Sequence, residues 1–401
     1  MSGPLGSTTR DAAARNLLVG ALLANTVVVL PMMMLGAMAV LVRDELAFGE
    51  VALGVAAALF AASATAVSAP GGRLSERVGA ARTMTAGALI SGGALAGIAL
   101  HADSWTTLVG WLLLAGMGNG LTQPATNGVL SAVINPGRQG LAFGVKQAAI
   151  PLAGMLSGLA LPLIGLRVGW RAAFAAGGAL ALIVAVVVPR ARAALAGRPA
   201  PAERADGEDA APLRPLLIIT IASGMASASA NVIGAFFVES AVSSGVPAAQ
   251  AGIWLIIGGL CGIVARTSWG WLADRRDGRH LPFVGWLMAA GAVGLALLAA
   301  GPAGGPLLAA GVVLAYAAAW GWPGLFNYAI VRQSRAAPAA ATGVTQSGLF
   351  AGQLVGPPLF GWLVETMSYR VAWSVFAVLL LGAAGLLQVG RRRLLRARGR
   401  G

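Results

Sequence analysis

Long apolar runs separated by short charged connectors dominate this chain. The runs exceed the roughly 20 residues that an α-helix needs to cross the hydrocarbon core of a bilayer. A membrane β-barrel would instead show short segments of alternating hydrophobicity, so the pattern predicts a polytopic all-α membrane protein. Twelve transmembrane helices are expected, at about residues 17–42, 47–69, 83–101, 105–134, 140–165, 170–189, 215–240, 247–270, 281–301, 305–331, 340–366 and 371–389.

Two of the charged connectors have similar sequences although they lie about 200 residues apart. The first reads Gly-Arg-Leu-Ser-Glu-Arg at 72–77, and the second reads Gly-Trp-Leu-Ala-Asp-Arg at 270–275. Similar residues follow both connectors at nearly the same offset, which indicates that one half of the chain is a copy of the other. The further pairs are Pro124 with Pro323, Gly144-Val145-Lys146-Gln147 with Gly343-Val344-Thr345-Gln346, and Trp170-Arg171 with Tyr369-Arg370.

The repeat divides twelve spans into two bundles of six helices. The predicted N-terminal bundle covers 1–189 and the C-terminal bundle covers 215–401, which ends in a basic tail. The segment between them, 190–214, contains several prolines and charges of both signs without a hydrophobic period. This composition is typical of a flexible linker.

The charge distribution predicts the orientation in the membrane. The chain is 57% hydrophobic and 10% charged, with a net charge of +14. Of its 28 lysines and arginines, 22 lie in the termini, the linker and the connectors that follow even-numbered spans, and four lie on the other side. Basic loops stay in the cytoplasm, so both termini and the linker are expected there, in a cell-membrane protein. Lipid headgroups are the expected partners of this charge, and no nucleic acid is.

The residue inventory argues against several other classes. Cys261 is the only cysteine, so an intrachain disulfide and a cysteine-based metal site are excluded. His101 and His280 both fall at span ends, which excludes a histidine relay in mid-membrane. No combination of nucleophile, base and metal ligands is visible, so we expect neither an enzyme nor a cofactor. The polar start of the chain is unlike a cleaved secretory signal, so the first span should be retained.

The repeated connector resembles the signature of the major facilitator superfamily, in which a glycine and an acid precede Arg-x-Gly and further basic residues. The resemblance implies two pseudo-symmetric six-helix bundles that move a solute by alternating access. It also implies that the connector holds the cytoplasmic side closed by pairing with neighbouring helix ends; the alternative is that these are turn residues that only fix topology. The gating residues predicted in this way are Gly72, Glu76, Arg77, Gly270, Asp274 and Arg275.

Two cationic residues within spans are candidate solute contacts, because intramembrane charges are costly and usually functional. Lys146 is the only lysine, and its counterpart in the other half is Thr345; the alternative is that it snorkels to the interface. Arg266 has Ser68 as its counterpart. Its place just before the second connector is similar to that of the anion-contacting arginine of monocarboxylate porters and oxalate/formate exchangers. Packing or gating is the alternative role for Arg266.

Neutral polar and aromatic residues complete the predicted solute site. By analogy with the family, the first, fourth, seventh and tenth helices line the central cavity. Hydrogen bonding between helices is the alternative role for the amides. The candidates on these helices are Asn25, Asn119, Gln123, Asn127, Asn231, Trp320, Asn327 and Tyr328.

The favoured function is secondary transport of a small organic solute, which we expect to be an organic anion. A monomer is expected, with a proton or a counter-anion as the coupling partner. The alternative is an exporter of drugs or metabolites, which the methionines at 32–34 favour and in which Glu239 or Glu365 would carry the proton. Drug/proton exporters commonly have an acid in the first helix, whereas this chain has Asn25-Thr26 there. A sensor that transports nothing is a third class.

Overall fold

The computed structural model describes residues 5–134, 136–187, 213–275, 280–301, 305–333 and 338–398, and these ranges form an all-α bundle. We number twelve helices in chain order. The first six are α1 (Leu5–Leu46), α2 (Glu50–Val78), α3 (Ala80–His101), α4 (Trp105–Val133), α5 (Gln139–Gln147, Ala149–Ala160 and the short continuation to Val168) and α6 (Trp170–Val187). The second six are α7 (Leu213–Ser243), α8 (Ala248–Arg275), α9 (His280–Ala300), α10 (Pro306–Leu314 and Pro323–Gln333), α11 (Pro338–Thr366) and α12 (Tyr369–Arg398).

Two of the helices predicted to be continuous are interrupted. In α5, a π-helical turn at Leu161–Gly165 contains a proline, which cannot donate the regular helical hydrogen bond. In α10, a π-helical turn at Ala315–Ala319 is followed by a break before Pro323, because the residue that precedes a proline is disfavoured in the α-helical region. Such interruptions often lie at functional sites, and the second one shapes the surroundings of Arg266.

The membrane prediction is confirmed at the level of a multi-pass helical protein. Nine helices in the described ranges are long and apolar enough to cross a bilayer, and Trp170–Val186 is a shorter apolar helix. The count of twelve spans therefore stays a prediction. The apolar part of α1 is Leu18–Leu46, four residues longer at its end than expected, and α12 runs on to Arg398. Most of the predicted linker lies outside the described residues, and α7 already begins at Leu213.

The two halves meet along three helix pairs, which are α1 with α7, α2 with α11 and α5 with α8. Small residues allow these backbones to approach closely. A Cβ atom built on Gly36 would lie 3.2 Å from the Ala235 Cα on α7. We call the end of the bundle that contains Glu76 and Asp274 the basic face, and the end that contains Arg43 and Glu239 the opposite face.

Gly259 on α8 is expected to be essential for the contact between α5 and α8. It is buried, and a Cβ there would lie 2.7 Å from the Pro151 carbonyl oxygen and 3.1 Å from the Met155 nitrogen. Gly259→Leu should therefore destabilise the protein by about 1–3 kcal/mol through overpacking. The measurement is the thermal unfolding midpoint in detergent. The control is Gly93→Leu on α3, where a Cβ meets nothing within 4 Å; equal midpoints for the two variants would contradict the expectation.

Candidate functional site

Arg266 is a buried cation at the centre of the α8 to α10 contact. The residue is only 3% exposed, and its Nη2 atom donates a hydrogen bond to the Trp320 carbonyl oxygen. That carbonyl is available because Trp320 lies at the break in α10. The guanidinium carbon also lies 5.2 Å from the centroid of the Trp320 ring, a cation–π geometry. The sequence thus identified two residues that the fold brings into contact.

The guanidinium of Arg266 keeps unused donors. Among the described residues, neither Nε nor Nη1 has a hydrogen-bond partner, and no carboxylate forms an ion pair with this side chain. A buried cation without a counter-charge is unfavourable. The arrangement can therefore accept an anion, and a carboxylate can receive a charge-assisted hydrogen bond from either free nitrogen.

A narrow cavity opens beside Arg266 between α5, α8 and α10. Tyr328, another predicted solute contact, lines it together with Trp269. The Tyr328 ring packs 5.2 Å from the ring of His280 in an edge-on geometry. Glycines from three helices let the backbone approach the cavity. The remaining lining residues are Gly140, Gly144, Gly270, Ala273, Gly321, Gly324 and Leu325.

Aromatic rings extend from Trp320 toward α7. The Tyr316 ring lies 5.3 Å from the Trp320 ring and 5.7 Å from the Phe237 ring, both nearly perpendicular to it. Edge-to-face pairs of this kind hold the rings in fixed orientations. Tyr316 was not predicted from the sequence. Its position four residues before Trp320, one helical turn from that predicted contact, is the signal that could have identified it.

Lys146 belongs to a second polar group, on α4 and α5. It is 3% exposed and donates a hydrogen bond to the Gln123 Oε1 atom. Gln123 in turn donates to Asn119 Oδ1 at 3.2 Å. Three predicted residues are thus joined, but Lys146 does not line the cavity beside Arg266. The ammonium lies in the interior and does not reach the interface.

Two of the remaining predicted amides bond within their own helices. Asn25 is 1% exposed, and its Nδ2 atom donates to the Ala21 carbonyl oxygen at 2.7 Å. Asn231 donates in the same way to the Ser227 carbonyl oxygen at 2.8 Å. Both bonds stay within one helix, whereas bonds between helices were the expected alternative. Asn127 is exposed and Asn327 is half-buried.

The second connector joins the two halves at the basic face. Asp274 accepts hydrogen bonds from the backbone nitrogens of Gly140 and Leu141, each at 2.8 Å, at the start of α5. A carboxylate at this position satisfies free N–H groups and complements the helix dipole. Gly270 packs directly on Gly140, where a side chain on either residue would collide with the other backbone.

The first connector makes no matching contact within the described ranges. Glu76 and Arg77 are exposed, and Gly72 lies beside Pro124 without close packing. Arg275 of the second connector also stays exposed, with its guanidinium 3.9 Å from the Trp271 ring centroid. Within the part of the chain that the structure describes, the two copies of the motif therefore differ, because the Asp274 copy reaches a helix end of the other half and the Glu76 copy does not.

The opposite face holds a polar contact between the halves that the sequence did not predict. Arg43 of α1 forms an ion pair with Glu239 of α7, and another with Glu50 of α2 at 3.0 Å. Glu365 of α11 accepts a hydrogen bond from the Val51 nitrogen at 2.8 Å. The two acids considered for an exporter thus lie in contacts between the halves.

Comparisons with known proteins agree with this architecture. The model of the Major Facilitator Superfamily matches residues 21–301 and 216–398. An uncharacterised MFS-type transporter of Mycobacterium tuberculosis is 28% identical over 331 residues, 79% of this chain and 72% of that protein. Monocarboxylate transporter 12 of Rattus norvegicus is 28% identical over 173 residues, 39% of this chain and 34% of its own. An inward-facing bacterial homologue of the human lysosomal transporter Spinster superposes with a TM-score of 0.69 at 16% identity, covering 99% of both chains.

Proposed function

Because this chain belongs to the Major Facilitator Superfamily, we propose that it is a secondary transporter of a small organic anion. The observation that carries the proposal is the Arg266 guanidinium, which is 3% exposed and has two nitrogens without partners among the described residues. The solute carboxylate would accept a hydrogen bond from one of these two nitrogens. Trp320 and Tyr328 would contact the organic part of the solute, and Trp269 would complete the wall of the cavity.

The positive charge of the interior supports an anion over a cation or a neutral solute. Lys146 and Arg266 are both buried, and within the described ranges neither forms an ion pair with an acid. An anion that entered between the halves would offset part of the cost of burying these charges. The name of the mammalian relative, a monocarboxylate transporter, points to the same class of solute.

The contacts at the two ends of the bundle support alternating access. We propose that the basic face is cytoplasmic, with the opposite face external. Asp274 would hold the cytoplasmic ends of α5 and α8 together, while the Arg43 ion pairs and the Glu365 hydrogen bond hold the external ends. Rocking of one half against the other would break one set while the other stays formed.

Uptake by reconstituted protein tests the proposal directly. Proteoliposomes should accumulate small labelled carboxylates with saturation, and they should not accumulate the corresponding amides, which lack the charge. Empty liposomes are the control. Transport of amphipathic cations without transport of any carboxylate would overturn the anion proposal and favour the drug exporter.

Lys146 is expected to contribute positive charge from the first half that attracts the anionic solute. Lys146→Ala should lower the specificity constant for a carboxylate by about tenfold, since it removes one nearby charge and leaves Gln123 without its donor. Initial uptake rates measure this effect. Arg138→Gln is a matched control, because Arg138 is an exposed cation close to the start of α5. If Lys146→Ala and Arg266→Ala both transport as well as the parent, the solute is not held by positive charge.

A further inference from the structure

A group of ionisable side chains joins five helices at the opposite face. We call it the Arg43 cluster, and it consists of Arg43, Glu50, Glu239, Glu365 and Tyr369. Arg43 holds Glu239 and Glu50, and its Nε atom donates to the Phe48 carbonyl oxygen at 2.9 Å. Tyr369 is close enough to interact electrostatically with Arg43 and Glu50. The cluster combines three carboxylates with one arginine.

Both links that the cluster makes between the halves end at the same short segment. The Arg43 to Glu239 ion pair runs from α1 to α7, and the Val51 to Glu365 hydrogen bond of 2.8 Å runs from the start of α2 to the end of α11. Arg43 and Val51 lie on either side of the turn between α1 and α2. Both links therefore help to hold the opposite face closed in this structure.

Glu239 is a buried carboxylate of the cluster whose hydrogen bonding is incomplete. It is 8% exposed, and its Oε2 atom has no hydrogen-bond partner among the described residues. Arg43, its cationic partner, also pairs with Glu50. A buried carboxylate oxygen without a partner is unfavourable, and protonation of the group removes that cost.

From this geometry we infer that Glu239 is a proton-binding site, and that its protonation opens the external face. The proton comes from external water and converts the carboxylate to a neutral carboxyl group. Arg43 keeps its charge, loses this ion pair and retains Glu50, so the link between α1 and α7 is released. When the face closes again, Glu239 returns the proton and re-forms the ion pair. This inference rests on the proposed function for the orientation alone.

Several other ionisable groups at this face pair within one half or are exposed. Glu45 is held within the first half by the Trp170 and Arg171 side chains, and Asp103 lies 3.6 Å from Arg171. Arg370, next to Tyr369 at the start of α12, is exposed. The neighbouring starts of α8 and α10, residues 248–260 and 306–314, contain no charged residue.

Distance measurements between spin labels on full-length protein in lipid nanodiscs test the inference. The labels would be attached at Thr106→Cys and Ser244→Cys, two exposed positions at this face in different halves, in a Cys261→Ser background. Lowering the pH from neutral to about 5, toward the range in which carboxylates titrate, should lengthen the distance in the parent. The ratio of open to closed protein should rise by about tenfold, as expected for loss of one charged hydrogen bond.

Glu239→Gln should show the long distance at both pH values, because a glutamine cannot pair with Arg43 as an anion. Glu45→Gln is the matched control, since Glu45 lies at the same face but pairs only within its own half. It should respond to pH as the parent does. Arg43→Gln is a second variant that should also remain open. Gel filtration confirms that each variant is folded.

A distance in the parent that does not change with pH would overturn the inference, as would a Glu239→Gln variant that keeps the full pH response. These readouts need no solute. Failure to transport carboxylates would therefore contradict the proposed function without contradicting the proton switch. A distance that does not respond to pH would contradict the proton switch without contradicting the proposed function.

Discussion

Replacing Arg266 with lysine is expected to lower the specificity constant for a carboxylate by about a hundredfold. Hydrogen bonds between charged groups contribute about 1.5–3 kcal/mol each, and about 2.8 kcal/mol corresponds to a factor of 100. The Nε and Nη1 atoms of Arg266 have no partner among the described residues, and each can donate a charged hydrogen bond to a solute oxygen. A lysine keeps the charge but loses the planar pair of donors, so it should not rescue transport.

Initial rates of uptake over a range of solute concentrations measure this effect. Arg275→Lys is the control, because Arg275 lies on the same helix and contacts a tryptophan ring as Arg266 does, but it is exposed. It should transport as the parent. A neutral replacement, Arg266→Gln, should abolish saturable carboxylate uptake while the protein remains folded, since it removes a buried charge that has no counter-ion. Undiminished uptake by either Arg266 variant would contradict this role.

Replacing Asp274 with asparagine is expected to shift the protein toward opening at the basic face. The Asp274 carboxylate accepts two hydrogen bonds of 2.8 Å from the first residues of α5. An asparagine can accept at one oxygen only and carries no charge to complement the helix dipole. Loss of one charged hydrogen bond should change the ratio of open to closed protein by about tenfold to a hundredfold.

Spin labels at Arg138→Cys and Arg275→Cys report this opening, because both positions are exposed and flank the contact between α5 and α8. The Asp274→Asn variant should give a longer distance than the parent at the same pH. Glu76→Gln is the matched control, since the corresponding acid of the first half is exposed and without a partner in the described part of the chain. Identical distances in Asp274→Asn and the parent would show that the hydrogen bonds do not hold this face closed.

Much of the architecture follows from local features that can be read along the chain. Apolar runs and basic connectors reflect the requirements of the bilayer. They therefore indicate membrane helices even when the neighbouring helices are not known. The repeated connector correctly identified the family, which the match to residues 21–301 and 216–398 shows. Lys146 and Arg266 were noticed for the same reason, because a charge in an apolar run is conspicuous wherever the helix packs.

The partners of these two cations could not be predicted from the sequence. Lys146 bonds to Gln123 on α4, whereas Arg266 bonds to the interrupted backbone of α10. Which neighbour a side chain meets depends on helix rotation and packing. The break at Trp320 also depends on proline chemistry that a hydropathy pattern does not contain.

The sequence alone determined that this protein has a helical membrane fold with two related halves, because those properties depend on composition and period within single segments. Only the tertiary structure decided which residues link the halves. Glu365 bonds to Val51 across 314 positions of the chain, and Arg43 pairs with Glu239 on a helix of the other bundle. Such contacts arise when helices from distant segments pack. The pattern of apolar and polar residues along one helix therefore does not show which other helix it contacts.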